Sequence, residues 1–213
     1  MTMSLKKKLL LGVLPDRVLQ TRGPRRGNAC YLSFDDGPHP EHTPRLLDLL
    51  AAHGVHASFF VVGKLAEAQP HLVERIVAEG HTLGNHSYNH RGFVSLSLAE
   101  QVAEIRRADE LLSAFDQRPL HRVRPPQGHL TVPLLLHFMR ARRSIAYWSY
   151  DSLDYQPQSA DELTDRLRRL PPTAGDIVLM HDDNARAATA LGELLPVWRS
   201  EGRVFHVLRA DAG

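Results

Sequence analysis

The sequence predicts a single α/β domain folded as an irregular, TIM-like (β/α) barrel. Short apolar runs alternate along the chain with amphipathic stretches, and glycine, proline and aspartate fall between them. Strands separated by helices pair in parallel through right-handed crossovers, and seven such units in one domain favour a barrel over a doubly wound open sheet, which is the alternative. The length of 213 residues suits one domain with a buried core.

The apolar runs predict seven strands. In chain order they lie at 30–34, 58–62, 81–84, 121–124, 144–148, 176–180 and 203–207. Two of the intervening helices have the clearest patterns. In the helix predicted at 43–53, Thr43 can cap the first amide groups and Pro44 suits the first helical position. Over 98–115, apolar residues recur at helical spacing, and the stretch ends before Pro119.

Charge and cysteine content exclude several classes of protein. With 26 basic and 24 acidic residues, the charge is too even to predict a nucleic-acid groove, and the single cysteine, Cys30, excludes an intrachain disulfide. The lysines at 6–8 precede an apolar stretch that ends by Leu14, too short for a signal-peptide core or a membrane span. We expect a cytoplasmic protein without stable membrane insertion, and peripheral membrane contact stays open.

Polar residues stand at the carboxyl ends of the predicted strands, where barrel enzymes hold their reactive side chains. Asp35 and Asp36 follow the first strand, His86 and His90 the third, Arg124 ends the fourth, Asp151 and Asp154 follow the fifth, and His181 follows the sixth. We therefore expect these side chains to share one rim of the barrel.

His86 and His90 are four residues apart, which in a helical turn places both imidazoles on one face. Zinc favours such nitrogen ligands, and the carboxylate of Asp36 would complete a three-ligand site with a position open for water. The adjacent Asp35 can take a proton from that water. The alternatives are a solvated Asx turn and a pair of structural histidines, and the coincidence of both pairs on one rim argues against them.

The remaining rim residues fit acid–base chemistry. Arg124 can hold Asp35 in place and ionised, and a backbone N–H such as that of Gln127 can stabilise an oxyanion. Asp154 can orient and charge the imidazole of His181, which then protonates a leaving amine. As structure alone, the segment after Arg124 is a rigid turn.

Five segments, in this order, resemble the motifs of the polysaccharide deacetylases, the NodB-homology family or carbohydrate esterase family 4. They are 33–37 (SFDDG), 86–90 (HSYNH), 124–128 (RPPQG), 151–155 (DSLDY) and 179–181 (LMH). The resemblance covers about 30–182. It implies the distorted (β/α)7 barrel of that family for residues 28–213, after a basic N-terminal segment at 1–27.

The resemblance implies a metal-dependent hydrolase that removes N-acetyl groups from amino sugars of an oligosaccharide or polysaccharide. It makes Asp35 the base and His181 the acid, gives one zinc or other divalent ion the ligands Asp36, His86 and His90, lets Arg124 tune the base and Asp154 orient the acid, and places Leu179 in the acetyl pocket. Two positions depart from the family pattern. Gln127 stands where an aromatic residue is frequent and Tyr155 where tryptophan is usual, so the sugar-binding groove is expected to differ in shape.

Other interpretations stay open at this point. The same barrel can hydrolyse a ureide, imide or formamide, and two histidines with one carboxylate also form the facial triad of iron oxygenases. A metal-binding protein without turnover is a third alternative. An oxygenase would give Asp35 and His181 no role, and an intact acid and base argue against the third. His39 and His42 are alternative extra ligands. The expected partner is a soluble or lipid-linked N-acetylated carbohydrate, and no nucleic acid is expected.

Overall fold

Strands and helices alternate along most of the chain in the computed structural model, which describes residues 14–208. The strands are β1 (Leu19–Gln20), β2 (Ala29–Asp35), β3 (Ser58–Val61), β4 (Thr82–Asn85), β5 (Ile145–Ala146), β6 (Tyr150–Asp151), β7 (Ile177–His181) and β8 (Val204–Phe205). The helices are α1 (His42–Ala52), α2 (Gly63–Ala68), α3 (Pro70–Ala78), α4 (Leu98–Asp116), α5 (Val132–Ala141), α6 (Ala160–Arg169) and α7 (Arg186–Ser200). Two 3-10 turns, Phe93–Ser95 and Pro126–Gly128, lie in loops before α4 and α5.

The strands pair in parallel around β2. The main sheet has the order β4-β3-β2-β7-β6, β8 pairs with the start of β2, and β1 pairs with β5. Val123 links the two groups through parallel bridges to Asn85 in β4 and Ile145 in β5. The segment from β5 to β6 thus contacts Val123 at its start and β7 at its end. The predicted α/β class with parallel strand pairing is confirmed.

Strand β2 is buried along its whole length, and its two faces contact different parts of the protein. Alternate residues of a strand point to opposite faces. Leu32 and Phe34 pack in the main apolar cluster, where the Phe34 and Phe59 rings lie 5.2 Å apart. Ser33 and Asp35 alternate with them and contact the Arg124 side chain. The same strand therefore supports the core with one face and the polar interior with the other.

Several predicted strands are shorter in the structure, and two segments were missed. The predicted strands at 30–34, 58–62, 81–84 and 176–180 match β2, β3, β4 and β7, whereas 144–148 and 203–207 shrink to the two-residue β5 and β8, and 121–124 to a bridge at Val123. Pairing does not continue past Arg124, because Pro125 and Pro126 lack the N–H that a ladder needs. β1 and β6 were not predicted, since two residues show no periodicity.

The two helices with clear patterns are confirmed as α1 and α4, but the predicted cap of α1 is wrong. The hydroxyl of Thr43 does not cap the helix; it accepts a hydrogen bond from the His39 N–H and donates one to Asp182. The first free amides, those of Glu41 and His42, donate to Nδ1 of His39 at 3.1 and 3.3 Å. The His39 ring accepts these amides in place of Thr43, because the hydroxyl of Thr43 is buried against Asp182.

The basic segment predicted at 1–27 is described only from residue 14. In that part Leu19 is buried, β1 pairs with β5, and Arg22 forms an ion pair with Asp176 at 3.1 Å. The lysines at 6–8 lie outside the described residues, and the division of the chain at 27 stays a prediction. Within 14–208, no helix combines the length and apolar character that crossing a bilayer requires.

Candidate active site

The carboxyl ends of β2, β4 and β7 open into a cavity of about 350 Å³. Eight of the ten residues singled out from the sequence line it: Asp35, Asp36, His86, His90, Gln127, Tyr155, Leu179 and His181. The other two, Arg124 and Asp154, are fully buried behind it and bond to Asp35 and His181. The structure therefore brings all ten together.

Asp36, His86 and His90 form a cluster whose ligand atoms all lie within 4.8 Å of one another. Oδ1 of Asp36 lies 3.2 Å from Nε2 of His86 and 3.0 Å from Nε2 of His90. Asp36 has a φ of 73°, in the left-handed region, which turns its side chain away from the line of β2. Within 14–208, this is the one group of three or more such residues placed to hold a metal ion.

The hydrogen bonding of His86 tests whether this cluster suits a cation. Its Nδ1 lies 2.7 Å from the carbonyl oxygen of Arg124, which only accepts, so Nδ1 holds the proton of the neutral ring. Nε2 then presents a lone pair to the carboxylate of Asp36. Two acceptors at this separation repel unless a positive charge lies between them. The donor set of two imidazoles and one carboxylate fits a divalent ion such as zinc.

The segment from His86 to His90 is not the helical turn predicted from its spacing. Ser87 and His90 have φ values of 65° and 55°, so the backbone turns through the left-handed region twice. The Ser87 hydroxyl accepts a hydrogen bond from the His90 N–H at 3.1 Å. The two imidazoles still converge, with ring centroids 4.9 Å apart, but a tight turn brings them together rather than a helix face.

Asp35 and Arg124 form a buried ion pair beside the cluster. Nη1 of Arg124 lies 2.6 Å from Oδ1 of Asp35 and also donates to the hydroxyl of Ser33. The guanidinium carbon lies 3.9 Å from the centre of the Phe60 ring. Burial lowers the pKa of Arg124 and the charge of Asp35 opposes this shift. The second carboxylate oxygen of Asp35 stays on the cavity side, 3.8 Å from Nε2 of His86.

Asp154 and His181 form a second pair near the cluster. Oδ1 of Asp154 lies 2.8 Å from Nδ1 of His181, and Oδ2 accepts the His181 backbone N–H at 2.7 Å. Burial lowers the pKa of His181, but the hydrogen bond and charge of Asp154, together with the charges of Asp35 and Asp36, outweigh it and raise the pKa to about 9. Nε2 of His181 lies 4.0 Å from Asp36.

The mouth of the cavity is built from the turn after Arg124 and from aromatic side chains. Gln127 is exposed in a left-handed conformation, with φ 58° and ψ 14°. At Gly128 a Cβ would lie 2.8 Å from the Trp148 ring, so only glycine fits there. The Tyr155 ring stands edge-on to His181, with centroids 5.5 Å apart. Leu179 is 3% exposed and lies in the cavity wall.

Three residues near the site were missed from the sequence. Trp148 and His129 line the cavity, and each had a usable signal, because Trp148 ends a predicted strand and His129 follows the turn at 124–128. Asp182 follows His181 and is buried, and burial raises its pKa to about 7. Its carboxylate lies so close to Gly37 that a Cβ there would be 2.1 Å away. The carboxylate of Asp182 leaves no room for a side chain at position 37, which explains the glycine that follows Asp36.

His39 and His42, the alternative extra ligands, lie outside the metal cluster. Nδ1 of His39 accepts the two amides at the start of α1. The His39 and His42 rings stack on each other, with centroids 4.3 Å apart. Neither belongs to the group formed by Asp36, His86 and His90.

Known proteins resemble this chain in both sequence and fold. A peptidoglycan-N-acetylglucosamine deacetylase of Bacillus cereus is 32% identical over 192 residues, which cover 87% of this chain and 69% of that protein. A chitooligosaccharide deacetylase of Sinorhizobium fredii is 32% identical over 205 residues, covering 87% of this chain and 94% of that one. A crystal structure of a peptidoglycan N-acetylglucosamine deacetylase, bound to an N-hydroxybenzamide compound, superposes with a TM-score of 0.83 at 31% identity, over 90% of this chain and 91% of that one.

The distorted (β/α)7 barrel implied by the motifs is confirmed by this superposition. The family model described as polysaccharide deacetylase matches residues 22–139, more than half of the chain. The chain therefore belongs to the polysaccharide deacetylase family.

Proposed function

We propose that this chain hydrolyses the N-acetyl group of amino sugars in an oligosaccharide or polysaccharide, with one divalent metal ion held by Asp36, His86 and His90. One observation supports this most strongly. The three-donor cluster lines one cavity together with Asp35 and His181, and each of these two is held by a buried partner, Arg124 or Asp154. Amide hydrolysis needs a base and an acid at the same reacting centre, and this arrangement supplies both.

Asp35 is the proposed base. A bound divalent ion would lower the pKa of a water and polarise the acetamide carbonyl. Arg124 fixes one oxygen of the Asp35 carboxylate, and the other oxygen, on the cavity side, accepts the proton of the attacking water. Because the carboxylate is held at two points, by the backbone and by Arg124, it keeps its orientation as its charge changes. The Gln127 N–H at the cavity mouth is the proposed oxyanion donor.

His181 is the proposed acid. Asp154 holds its Nδ1, so Nε2 faces the cavity, and although burial lowers the pKa of the ring, the hydrogen bond and charge of Asp154 raise it and favour the protonated form. Nε2–H then donates its proton to the departing nitrogen, so that acetate and a free amino sugar leave. Asp154 also accepts hydrogen bonds from the His181 backbone and from Ser152, which hold its carboxylate in place.

The proposed substrate carries N-acetylglucosamine-like units. The relatives named above act on peptidoglycan and on chitooligosaccharides. The mouth of this cavity offers flat aromatic surfaces, Trp148 and Tyr155, on which sugar rings can pack, and polar groups on Gln127 and His129. Leu179 in the wall is the proposed contact of the acetyl methyl group. We further propose a short soluble or lipid-linked substrate and a cytoplasmic location.

Two of the three rival activities would leave groups of the site without a role. An iron oxygenase would need the Asp36, His86 and His90 triad but neither the Arg124–Asp35 pair nor the Asp154–His181 pair. A hydrolase of a ureide, imide or formamide would use every group, and it differs from the proposal only in the substrate that fits the cavity. A binding protein without turnover would have no use for a charged acid.

A substrate screen tests the proposed reaction. Purified protein is incubated with N-acetylated chitooligosaccharides, peptidoglycan fragments, a ureide, a formamide and, as an O-acetyl control, acetylxylan. We expect acetate and free amine to appear in equal amounts from an N-acetylated sugar, a chelator to stop the reaction and added zinc or another divalent ion to restore it. Turnover of a ureide or formamide with no acetate from any sugar would contradict the proposal.

The metal site predicts the behaviour of a His86→Ala variant. Removing one of three protein ligands leaves too few donors for a stable site, so the variant is expected to lose most of its metal and essentially all activity. His71→Ala, at an exposed position in α3, is the matched control and should keep both. Metal content is measured on the purified proteins by elemental analysis. Full occupancy in His86→Ala would remove His86 from the ligand set.

The base and the acid predict different losses for two variants. Asp35→Asn should retain the metal and lose roughly 10²–10⁴-fold in rate on every substrate, because an amide does not accept the proton. His181→Ala should lose a similar factor on an N-acetyl sugar but much less on nitrophenyl acetate, whose leaving group needs no proton. Asp161→Asn, exposed at the start of α6, is the control. Equal losses of His181→Ala on both substrates would argue against its role as acid.

A further inference from the structure

Asn85 is the last residue of β4 and directly precedes His86, and its side chain is fully buried. Its Nδ2 donates two hydrogen bonds of 2.8 Å, to the Ile105 carbonyl and to Oδ1 of Asp109, both on α4. Its Oδ1 accepts the Ser87 N–H at 2.9 Å. The carboxamide thus joins the backbone of the ligand turn to the neighbouring helix, with both of its donors in use.

Asp109 is itself held firmly, so it is a fixed point for Asn85. It is 3% exposed, and Oδ2 lies 2.8 Å from Nη2 of Arg143. Its Oδ1 also accepts the backbone N–H of His121 at 3.2 Å, and Nδ1 of His121 lies 3.3 Å away. A buried carboxylate with these partners is costly to displace.

The turn after Asn85 needs such support. Ser87 and His90 both occupy the left-handed region, which is unfavourable for a residue other than glycine. The Ser87 N–H bonds to Asn85, and the Ser87 hydroxyl accepts the His90 N–H. A continuous series of hydrogen bonds therefore runs from Asp109 on α4 through Asn85 and Ser87 to His90.

We propose that Asn85, anchored on Asp109, is a positioning residue for the metal site: it fixes the turn that bears His86 and His90 against α4. This inference rests on the proposed function, because it concerns the ligands of the proposed metal. Asn85 contacts neither the metal nor the substrate; it acts through Ser87. Residues that orient metal ligands in this way typically change metal affinity by about 10–100-fold when they are replaced.

The carboxamide is the group that this position requires. Aspartate in place of Asn85 would have no N–H for Ile105 or Asp109 and would place a second carboxylate beside Asp109. Leucine, of similar shape, would leave the Ser87 N–H without its acceptor and would remove one of the hydrogen bonds that Oδ1 of Asp109 accepts. A buried donor or acceptor left unsatisfied in this way favours rearrangement of the turn.

The test compares Asn85→Leu with Asn89→Leu. Asn89 lies in the same turn and also contacts α4, through Glu104, but its side chain is exposed. Affinity for Zn²⁺ is measured by competition with a chelating dye, the visible spectrum of bound Co²⁺ reports the ligand geometry, and circular dichroism with urea unfolding of the metal-free proteins reports folding. We expect a folded Asn85→Leu protein with about 10–100-fold weaker Zn²⁺ binding and an altered Co²⁺ spectrum, and near wild-type values for Asn89→Leu.

Wild-type affinity and an unchanged Co²⁺ spectrum in folded Asn85→Leu would overturn the inference and leave the proposed function intact. A wild-type protein that binds neither Zn²⁺ nor Co²⁺ would instead contradict the proposed function. If Asn85→Leu does not fold, Asn85→Ser provides the same comparison, because serine is too short to join Ser87 to Asp109. Its affinity should fall as well, and an unchanged value would equally overturn the inference.

Discussion

The buried ion pair of Arg124 and Asp35 is the interaction on which the rest of the site depends. Arg124 is fully buried, and a guanidinium in that position needs a counter-charge and acceptors for its N–H groups. Asp35 supplies the charge, and Ser33 and the Tyr147 carbonyl accept further hydrogen bonds. These partners lie in β2 and in the segment after β5. Because Arg124 bonds to both, it fixes the distances between its own segment, β2 and the segment after β5 in the polar interior of the barrel.

The same residue also sets the metal cluster. The carbonyl of Arg124 accepts the proton on Nδ1 of His86, which aims Nε2 at Asp36. Arg124 thereby orients both the proposed base and one proposed ligand, while Asp154 independently orients His181 from the other side. Two carboxylates of similar intrinsic acidity acquire different duties because one faces a guanidinium and the other an imidazole. The two carboxylates are chemically alike, so their surroundings make Asp35 the proposed base and Asp154 the group that supports the proposed acid.

Much of the fold and of the candidate site could be predicted from the sequence. The buried strands β2, β3 and β7 leave clear apolar runs, and the polar residues that follow the strands were expected on one rim of the barrel. The parts that could not be predicted depend on contacts between distant segments. Thr43 does not cap α1 because Asp182 binds it, the ligand turn is not helical because Asn85 holds the Ser87 N–H, and β1 exists only by pairing with β5. Trp148 and His129 could have been found from the sequence, because Trp148 ends a predicted strand and His129 follows the turn at 124–128.

The stability of the Asp35–Arg124 pair tests this account most directly. Urea unfolding is measured for Arg124→Met, Asp35→Asn and the double variant. Arg124→Met leaves a buried carboxylate without its counter-charge and should cost about 3–5 kcal/mol of unfolding free energy. Removing that charge as well should recover part of the loss, so the double variant is predicted to be more stable than Arg124→Met alone. A double variant that loses the sum of the two single losses would show that the pair does not organise the site.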